Sequence, residues 1–163
     1  MVINEMKTLI VIGSNGYIGS LCLSNSTLNN SEFNKVIGVD NSKTMAYSKL
    51  CNSGNVEYIH PISLKDIPWE TLGQNIHIIY AATASSHKLG SLDISRGTII
   101  DLQMLDELFS GLKIDNTNYT LTYLSSSAVY GDLKGTISEE SNLEAVNPYS
   151  LMKILSEELV IYM

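Results

Sequence analysis

The sequence has few residues of the kinds that mark secreted or membrane proteins. Cys22 and Cys51 are its only cysteines, and the first residues lack the basic and apolar regions of a signal peptide. Two thiols without a secretory leader favour a reducing compartment, so we expect a cytoplasmic protein. The longest apolar stretches have the length of a strand, well short of the ~20 residues that span a membrane.

Basic residues are also scarce, with 10 lysines and arginines against 17 aspartates and glutamates, which gives a net charge of −7. Such a chain is a poor partner for nucleic acid or an anionic membrane surface, and a bound diphosphate would need backbone donors. The histidines His60, His77 and His87 lack the spacing of metal ligands, so we expect no metal site.

What the sequence does contain is a regular alternation of apolar runs and helical patterns. Strands are predicted at 8–12, 35–39, 56–60, 76–82 and 119–125, and helices at 17–25, 44–51, 95–112 and from 148 onwards. This order predicts an α/β fold with a doubly wound parallel sheet, a Rossmann fold of about five to six strands. Ligands of such sheets bind at the carboxyl ends of the strands.

Two predicted helices carry an apolar stripe on one face. The stripe residues are Leu102, Leu105, Phe109 and Leu112 in the first, and Leu151, Leu155, Leu159 and Tyr162 in the second. Asn147 fits the N-cap of the second helix and Pro148 its first position. The chain stops inside an apolar run, so we expect one domain over residues 1–163, truncated after this helix and lacking a C-terminal substrate region.

Three glycines spaced three apart follow the first strand. Gly13 allows a tight turn, Gly16 lets backbone approach a diphosphate, and Gly19 lets the first helix pack closely on the sheet. Asp40 lies at the end of the second strand, where a carboxylate accepts both ribose hydroxyls and repels a 2′-phosphate. The pattern indicates a nucleotide site that prefers NAD over NADP, whereas a plain tight turn and a turn-forming Asp40 are the simpler alternatives.

A second group of residues has the chemistry of proton transfer. Tyr149 and Lys153 lie four apart on one helix and share a face. A phenol acts as a base near neutral pH when a neighbouring positive charge favours its ionised form. Ser126 follows the fifth strand and could hold a substrate oxygen, although Ser125 or Ser127 could equally serve. An aromatic stem, a solvated lysine and a strand-end serine would explain the same three residues.

Taken together, these residues resemble the extended short-chain dehydrogenase/reductase family, in its NAD-dependent epimerase/dehydratase group. The matching segments occur in family order: Gly13-x-x-Gly16-x-x-Gly19, Asp40, Ile79–Ala82, Gly97–Thr98, Ser125–Gly131 and Asn147-Pro148-Tyr149-x-x-x-Lys153. The chain departs from the family at Met152, where a small polar residue is usual, and at His60–Pro61, where Gly-Asp is expected.

The resemblance implies a role for each matching residue. NAD would be bound by Gly13, Asn15, Gly16, Tyr17, Ile18, Gly19, Asp40, Asn41, Ala81, Ala82, Tyr149 and Lys153. Tyr149 would be the catalytic acid/base, Lys153 its activator, and Ser126 the catalytic serine. The implied reaction is hydride transfer at a sugar carbon of a nucleotide-sugar, followed by epimerisation, dehydration or reduction.

Two other hypotheses stay open. The chain could be a non-catalytic NAD-binding module, or an inactive remnant of such an enzyme. A homo-oligomer, or a separate C-terminal half, are the macromolecular partners that we consider.

Overall fold

The computed structural model describes residues 7–24, 33–43, 56–73, 75–84, 94–113, 118–132 and 134–163. Within these ranges five strands form one sheet: Lys7–Ile12 (β1), Lys35–Val39 (β2), Val56–Ile59 (β3), Asn75–Tyr80 (β4) and Asn118–Tyr123 (β5). The α-helices are Tyr17–Cys22 (α1), Ile94–Lys113 (α2) and Pro148–Tyr162 (α3). The helix predicted at 44–51 lies outside the described residues.

All strand pairs are parallel, and the strand order is β3-β2-β1-β4-β5. The order reverses at β1, which pairs with β2 on one side and β4 on the other. Ile10 of β1 thereby lies between Ile37 and Ile78. The prediction of a doubly wound parallel sheet is confirmed, and the reversal point marks where such sheets bind ligands.

The strands end earlier than predicted beside the turn that leaves β1. β4 ends at Tyr80, so Ala81 and Ala82 lie after the strand and are not its last residues. β5 ends at Tyr123 rather than at residue 125. β4 ends where its neighbour β1 ends, because Ile12 is the last residue of β1 that pairs with β4.

The chain divides into two compact units. The first comprises Met1–Ala82 and Glu107–Leu124, and the second comprises Thr83–Asp106 and Ser125–Met163. The sheet belongs to the first unit. The second contains the N-terminal part of α2, a short 3₁₀ helix at Ser127–Tyr130, and α3. No helix of the described ranges is long and apolar enough to cross a membrane.

Most of the apolar stripe of α2 is buried, with Leu105, Phe109 and Leu112 each at most 3% exposed, whereas Leu102 is half-buried. The stripe of α3 behaves in the opposite way, because Leu151 and Leu155 are 46% and 42% exposed. The buried residues of α3 are Ser150, Met152, Lys153 and Ser156. Helix α3 therefore turns Met152 and three polar residues inward, a face that hydrophobic periodicity does not anticipate.

Candidate functional site

The glycine loop in the first unit depends on backbone approaches that a side chain would block. Gly13 has φ +84°, and a Cβ at this position would lie 2.6 Å from the backbone nitrogen of Ala82. A Cβ at Gly19 would lie 2.1 Å from the Gly13 oxygen. These two glycines let the loop pack on the segment after β4 and let α1 pack on the loop.

Gly16 differs from the other two glycines of the loop. Among the described residues, a Cβ there would meet only the Gly13 oxygen, at 3.3 Å, so these residues leave this side of the loop open. Open backbone at this position fits a diphosphate, because the phosphate oxygens can approach without a side chain in the way.

Asp40 lies just beyond β2, where its carboxylate is held by two backbone amides. Asn15 N donates to Asp40 Oδ2 and Ser42 N donates to Asp40 Oδ1, each at 3.0 Å. A carboxylate accepts about four hydrogen bonds, so this one keeps the capacity to accept ribose hydroxyls. The Asn15 side chain completes the arrangement, since its Nδ2 donates to the Ser42 oxygen.

Two buried polar atoms of the loop have no hydrogen-bond partner among the described residues, namely Ser14 Oγ and Asn15 Oδ1. A buried unsatisfied acceptor costs about 1–3 kcal/mol. The fold alone therefore leaves the polar groups of this loop incompletely satisfied. Together with the open side at Gly16 and the free lone pairs of Asp40, this donor and acceptor set fits a dinucleotide.

The other predicted cofactor residues of the first unit lie at the same ends of the strands. Tyr17 and Ile18 are 58% and 53% exposed at the start of α1. Asn41 is exposed after Asp40, and Ala81 and Ala82 are half-buried directly after β4. The structure thus brings the glycine loop together with Asp40 and Ala82.

In the second unit, the start of α3 is closed by a reciprocal cap. Asn147 Oδ1 accepts a hydrogen bond from Ser150 N at 2.9 Å, and Ser150 Oγ accepts one from Asn147 N at 3.1 Å. The predicted N-cap at Asn147 and the first position at Pro148 are confirmed. Because the cap fixes this turn, Tyr149 is held in the first turn of the helix.

Lys153 lies one turn after Tyr149 and is only 4% exposed. Its burial lowers the pKa of the ammonium group below the usual 10.5, while the charges of Asp101 and Glu157 act in the opposite direction. Tyr149 is half-buried. A phenol and a buried amine thus share one face of α3.

Asp101 is a buried acidic residue near Lys153 that sequence reasoning missed. It is 4% exposed on α2, and its carboxylate accepts hydrogen bonds from Thr83 Oγ1 at 3.1 Å and from Ala84 N at 2.6 Å. It therefore ties the segment after β4 to α2 and places a negative charge near Lys153. A signal existed, because Asp101 lies four residues before Leu105 on the buried stripe of α2.

Ser126 is distinguished from its neighbours by burial and by a cap. It is half-buried, whereas Ser125 and Ser127 are exposed. Its Oγ accepts a hydrogen bond from Ala128 N at 3.2 Å, which caps the 3₁₀ helix Ser127–Tyr130.

Within the part of the chain that the structure describes, no group of three or more His, Cys, Asp or Glu side chains could hold a metal ion.

The chain is similar to known proteins in sequence pattern and in fold. A model of the NAD-dependent epimerase/dehydratase family matches residues 9–163. The fold is similar to UDP-N-acetylglucosamine 4-epimerase from Methanobrevibacter ruminantium M1, with TM-score 0.77 and 25% identity, over 97% of this chain and 50% of that one. No curated protein matches the chain.

Two further solved structures have the same fold. UDP-glucuronic acid 4-epimerase from Bacillus cereus, in complex with NAD, has TM-score 0.73 and 23% identity, over 95% of this chain and 51% of that one. UDP-glucose 4-epimerase from Bifidobacterium longum, in complex with NAD+ and UDP, has TM-score 0.75 and 21% identity, over 95% and 48%. The chain spans about half the length of these proteins.

The family match covers nearly the whole chain, and it agrees with the strand order and with the glycine loop after β1. NAD is the cofactor of this family. The chain belongs to the NAD-dependent epimerase/dehydratase family.

Proposed function

We propose that the chain carries the NAD-binding and proton-transfer residues of a nucleotide-sugar epimerase or dehydratase. The observation that supports this most strongly is the burial of Lys153 one turn after Tyr149 on a capped helix. A lysine with no role in the site would keep its ammonium group in water, because burying that charge is costly. UDP-sugars are the substrate class that the names of similar structures suggest.

The first unit would bind the cofactor. The loop from Gly13 to Gly19 would receive the diphosphate at its open side, with Asn15, Tyr17 and Ile18 alongside it. Asp40 would accept the ribose hydroxyls with the lone pairs that its two amide contacts leave free. The remaining contacts would come from Asn41, Ala81 and Ala82.

The second unit would move the proton. The chemistry that bound NAD would supply is reversible hydride transfer at a sugar carbon. Tyr149 as phenolate would take the proton of the hydroxyl on that carbon, so that the alcohol becomes a ketone. Lys153 would stabilise the phenolate by its charge, and Ser126 would hold the substrate oxygen for the transfer. Tyr149 would then give the proton back to the carbonyl oxygen when the hydride returns.

The alternative is NAD binding without turnover. It rests on the glycine loop and Asp40, which lie in the first unit and do not involve Tyr149 or Lys153. Both proposals require the first unit to bind NAD, and only the first requires Tyr149.

The test is turnover of UDP-glucose and UDP-N-acetylglucosamine, followed by NMR of the sugar, in the wild type and in Tyr149→Phe. We expect the variant to bind NAD normally and to lose about 10²–10⁴-fold in turnover, the usual contribution of general acid–base catalysis. Tyr162→Phe is the matched control, because Tyr162 lies on the same helix and is 87% exposed.

Full turnover in Tyr149→Phe would contradict the acid/base role. NAD binding by the wild type with no turnover of either sugar would favour the binding module. Failure to bind NAD would contradict both proposals.

A further inference from the structure

A closed ring of hydrogen bonds joins the glycine loop to the segment after β2. We propose that Asn15 is a positioning residue, which holds the Asp40 carboxylate and residues 40–42 in the orientation that selects a ribose with a free 2′-hydroxyl. The inference rests on the NAD binding proposed above, and it assigns to Asn15 an action through Asp40.

The ring consists of three hydrogen bonds, and each of them involves the side chain of Asp40 or of Asn15. The Asp40 carboxylate accepts from Asn15 N and from Ser42 N, both at 3.0 Å. The Asn15 side chain donates back to the Ser42 oxygen. Asn15 thus contacts the segment twice, once through its backbone and once through its side chain, and only the second contact is lost when the side chain is removed.

The plane of the Asp40 carboxylate has to be fixed by hydrogen bonds, because the side-chain rotamer leaves it undefined. The terminal torsion of an aspartate is broad and roughly two-fold, so the carboxylate plane turns easily. Two amides on different oxygens define that plane, and one of them belongs to Ser42, whose carbonyl Asn15 holds. Loss of the Asn15 side chain would therefore remove one of the contacts that position Ser42 and, through it, the carboxylate.

The orientation of the Asn15 amide follows from chemistry. The Ser42 carbonyl can only accept, so Nδ2 must face it, and Oδ1 is then the buried acceptor without a partner among the described residues. A small apolar residue would avoid the free-energy cost of burying this acceptor without a hydrogen bond. Asparagine is thus a poor choice for stability alone, which is the pattern expected when a residue serves a site.

The backbone of Asp40 is anchored independently of Asn15. Asp40 N donates to the Ile59 oxygen at 3.2 Å, and His60 Nδ1 lies 3.0 Å from the Asp40 oxygen, to which it can only donate. Both anchors come from the end of β3. Removing the Asn15 side chain should therefore leave the strand end in place and disturb only the carboxylate and residues 41–42.

The test compares Asn15→Ala with Asn34→Ala by calorimetric titration of NAD and NADP. We expect Asn15→Ala to lose about tenfold in NAD affinity, with no equal loss for NADP, so that the preference for NAD falls. Asn34→Ala is the matched control, since Asn34 also links two segments through its side-chain amide, with Oδ1 accepting from Lys7 N at 2.9 Å, and it precedes β2 at the amino ends of the strands. Both affinities should stay unchanged in the control.

A second measurement needs no nucleotide. Hydrogen exchange at the Ser42 amide should be faster in Asn15→Ala than in the wild type, and unchanged in Asn34→Ala. An equal loss of affinity for NAD and NADP in Asn15→Ala, or no loss for either nucleotide, would overturn the positioning role. If the wild type binds neither nucleotide, the proposed function fails, and unchanged exchange at Ser42 would then overturn the positioning of the segment separately.

Discussion

Single residues of the second unit show where burial adds information that spacing lacks. Tyrosine and lysine four residues apart recur by chance, and Tyr130 and Lys134 form such a pair in this chain. Tyr130 ends a 3₁₀ helix and Gly131 follows with φ +66°, so that pair does not share a helical face. Lys153 is buried on a capped helix, and this distinguishes the pair Tyr149 and Lys153 from the pair Tyr130 and Lys134.

The buried Lys153 makes stability depend on pH in a defined direction. Because burial lowers its folded-state pKa below 10.5, the unfolded state binds more protons between the two values. The free energy of unfolding should therefore rise with pH across that window, by at most about 1.4 kcal/mol per pH unit. Below the folded pKa the full cost of the buried charge is present.

Urea denaturation of the wild type and Lys153→Met at a series of alkaline pH values measures this effect. All other titrating groups are common to both proteins, so the difference between them isolates Lys153. We expect the wild type to gain stability relative to the variant as pH rises toward 10.5. A difference that does not change with pH would contradict the lowered pKa.

Helix α3 shows the same point at the scale of an element. Its start follows from local chemistry, because an asparagine cap followed by proline favours the start of a helix. Which face of α3 is buried does not follow from local chemistry, because it depends on the element that packs against the helix. Helix α3 contacts the 3₁₀ helix Ser127–Tyr130. Met152, a departure from the family pattern, is fully buried on that inward face.

Two substitutions on α3 test which face supports the fold. Met152→Ala should lower the free energy of unfolding by about 2–4 kcal/mol, because Met152 is fully buried and its loss leaves a cavity. Leu155→Ala should cost less than about 1 kcal/mol, since Leu155 is 42% exposed. Chemical denaturation of both variants gives the comparison, and an equal cost at the two positions would contradict the buried face assigned here.

At the scale of the whole molecule, ligand binding should appear as stability. A ligand that binds only the folded state at a hundred times its Kd adds about 2.7 kcal/mol. For a chain of this size that corresponds to a rise of ~5–10 °C in Tm. We expect NAD to give this shift and NADP, at the same concentration, a smaller one, because Asp40 repels a 2′-phosphate.

Thermal melts of the wild type and Asp40→Asn with each nucleotide test this prediction. Asparagine keeps the shape of Asp40 and removes its charge, so the difference between NAD and NADP should shrink in the variant. Equal shifts for the two nucleotides in the wild type would contradict the preference for NAD.

The sequence by itself determined the alternation of strands and helices, the parallel sheet, the glycine loop and the cap of α3. These features follow from local chemistry: apolar periodicity, backbone freedom at Gly13, and the hydrogen bonds that Asn147 offers to its own helix. They do not require knowledge of what packs against them.

Only the tertiary structure decided the ends of β4 and β5, the inward face of α3, the burial of Lys153 and Asp101, and the ring through Asn15 and Ser42. Each of these depends on residues far apart in the chain. Asp101 is aligned with its apolar neighbours in sequence, yet its partners are Thr83 and Ala84. A hydrogen bond between distant segments has no periodicity, so no local pattern can predict it.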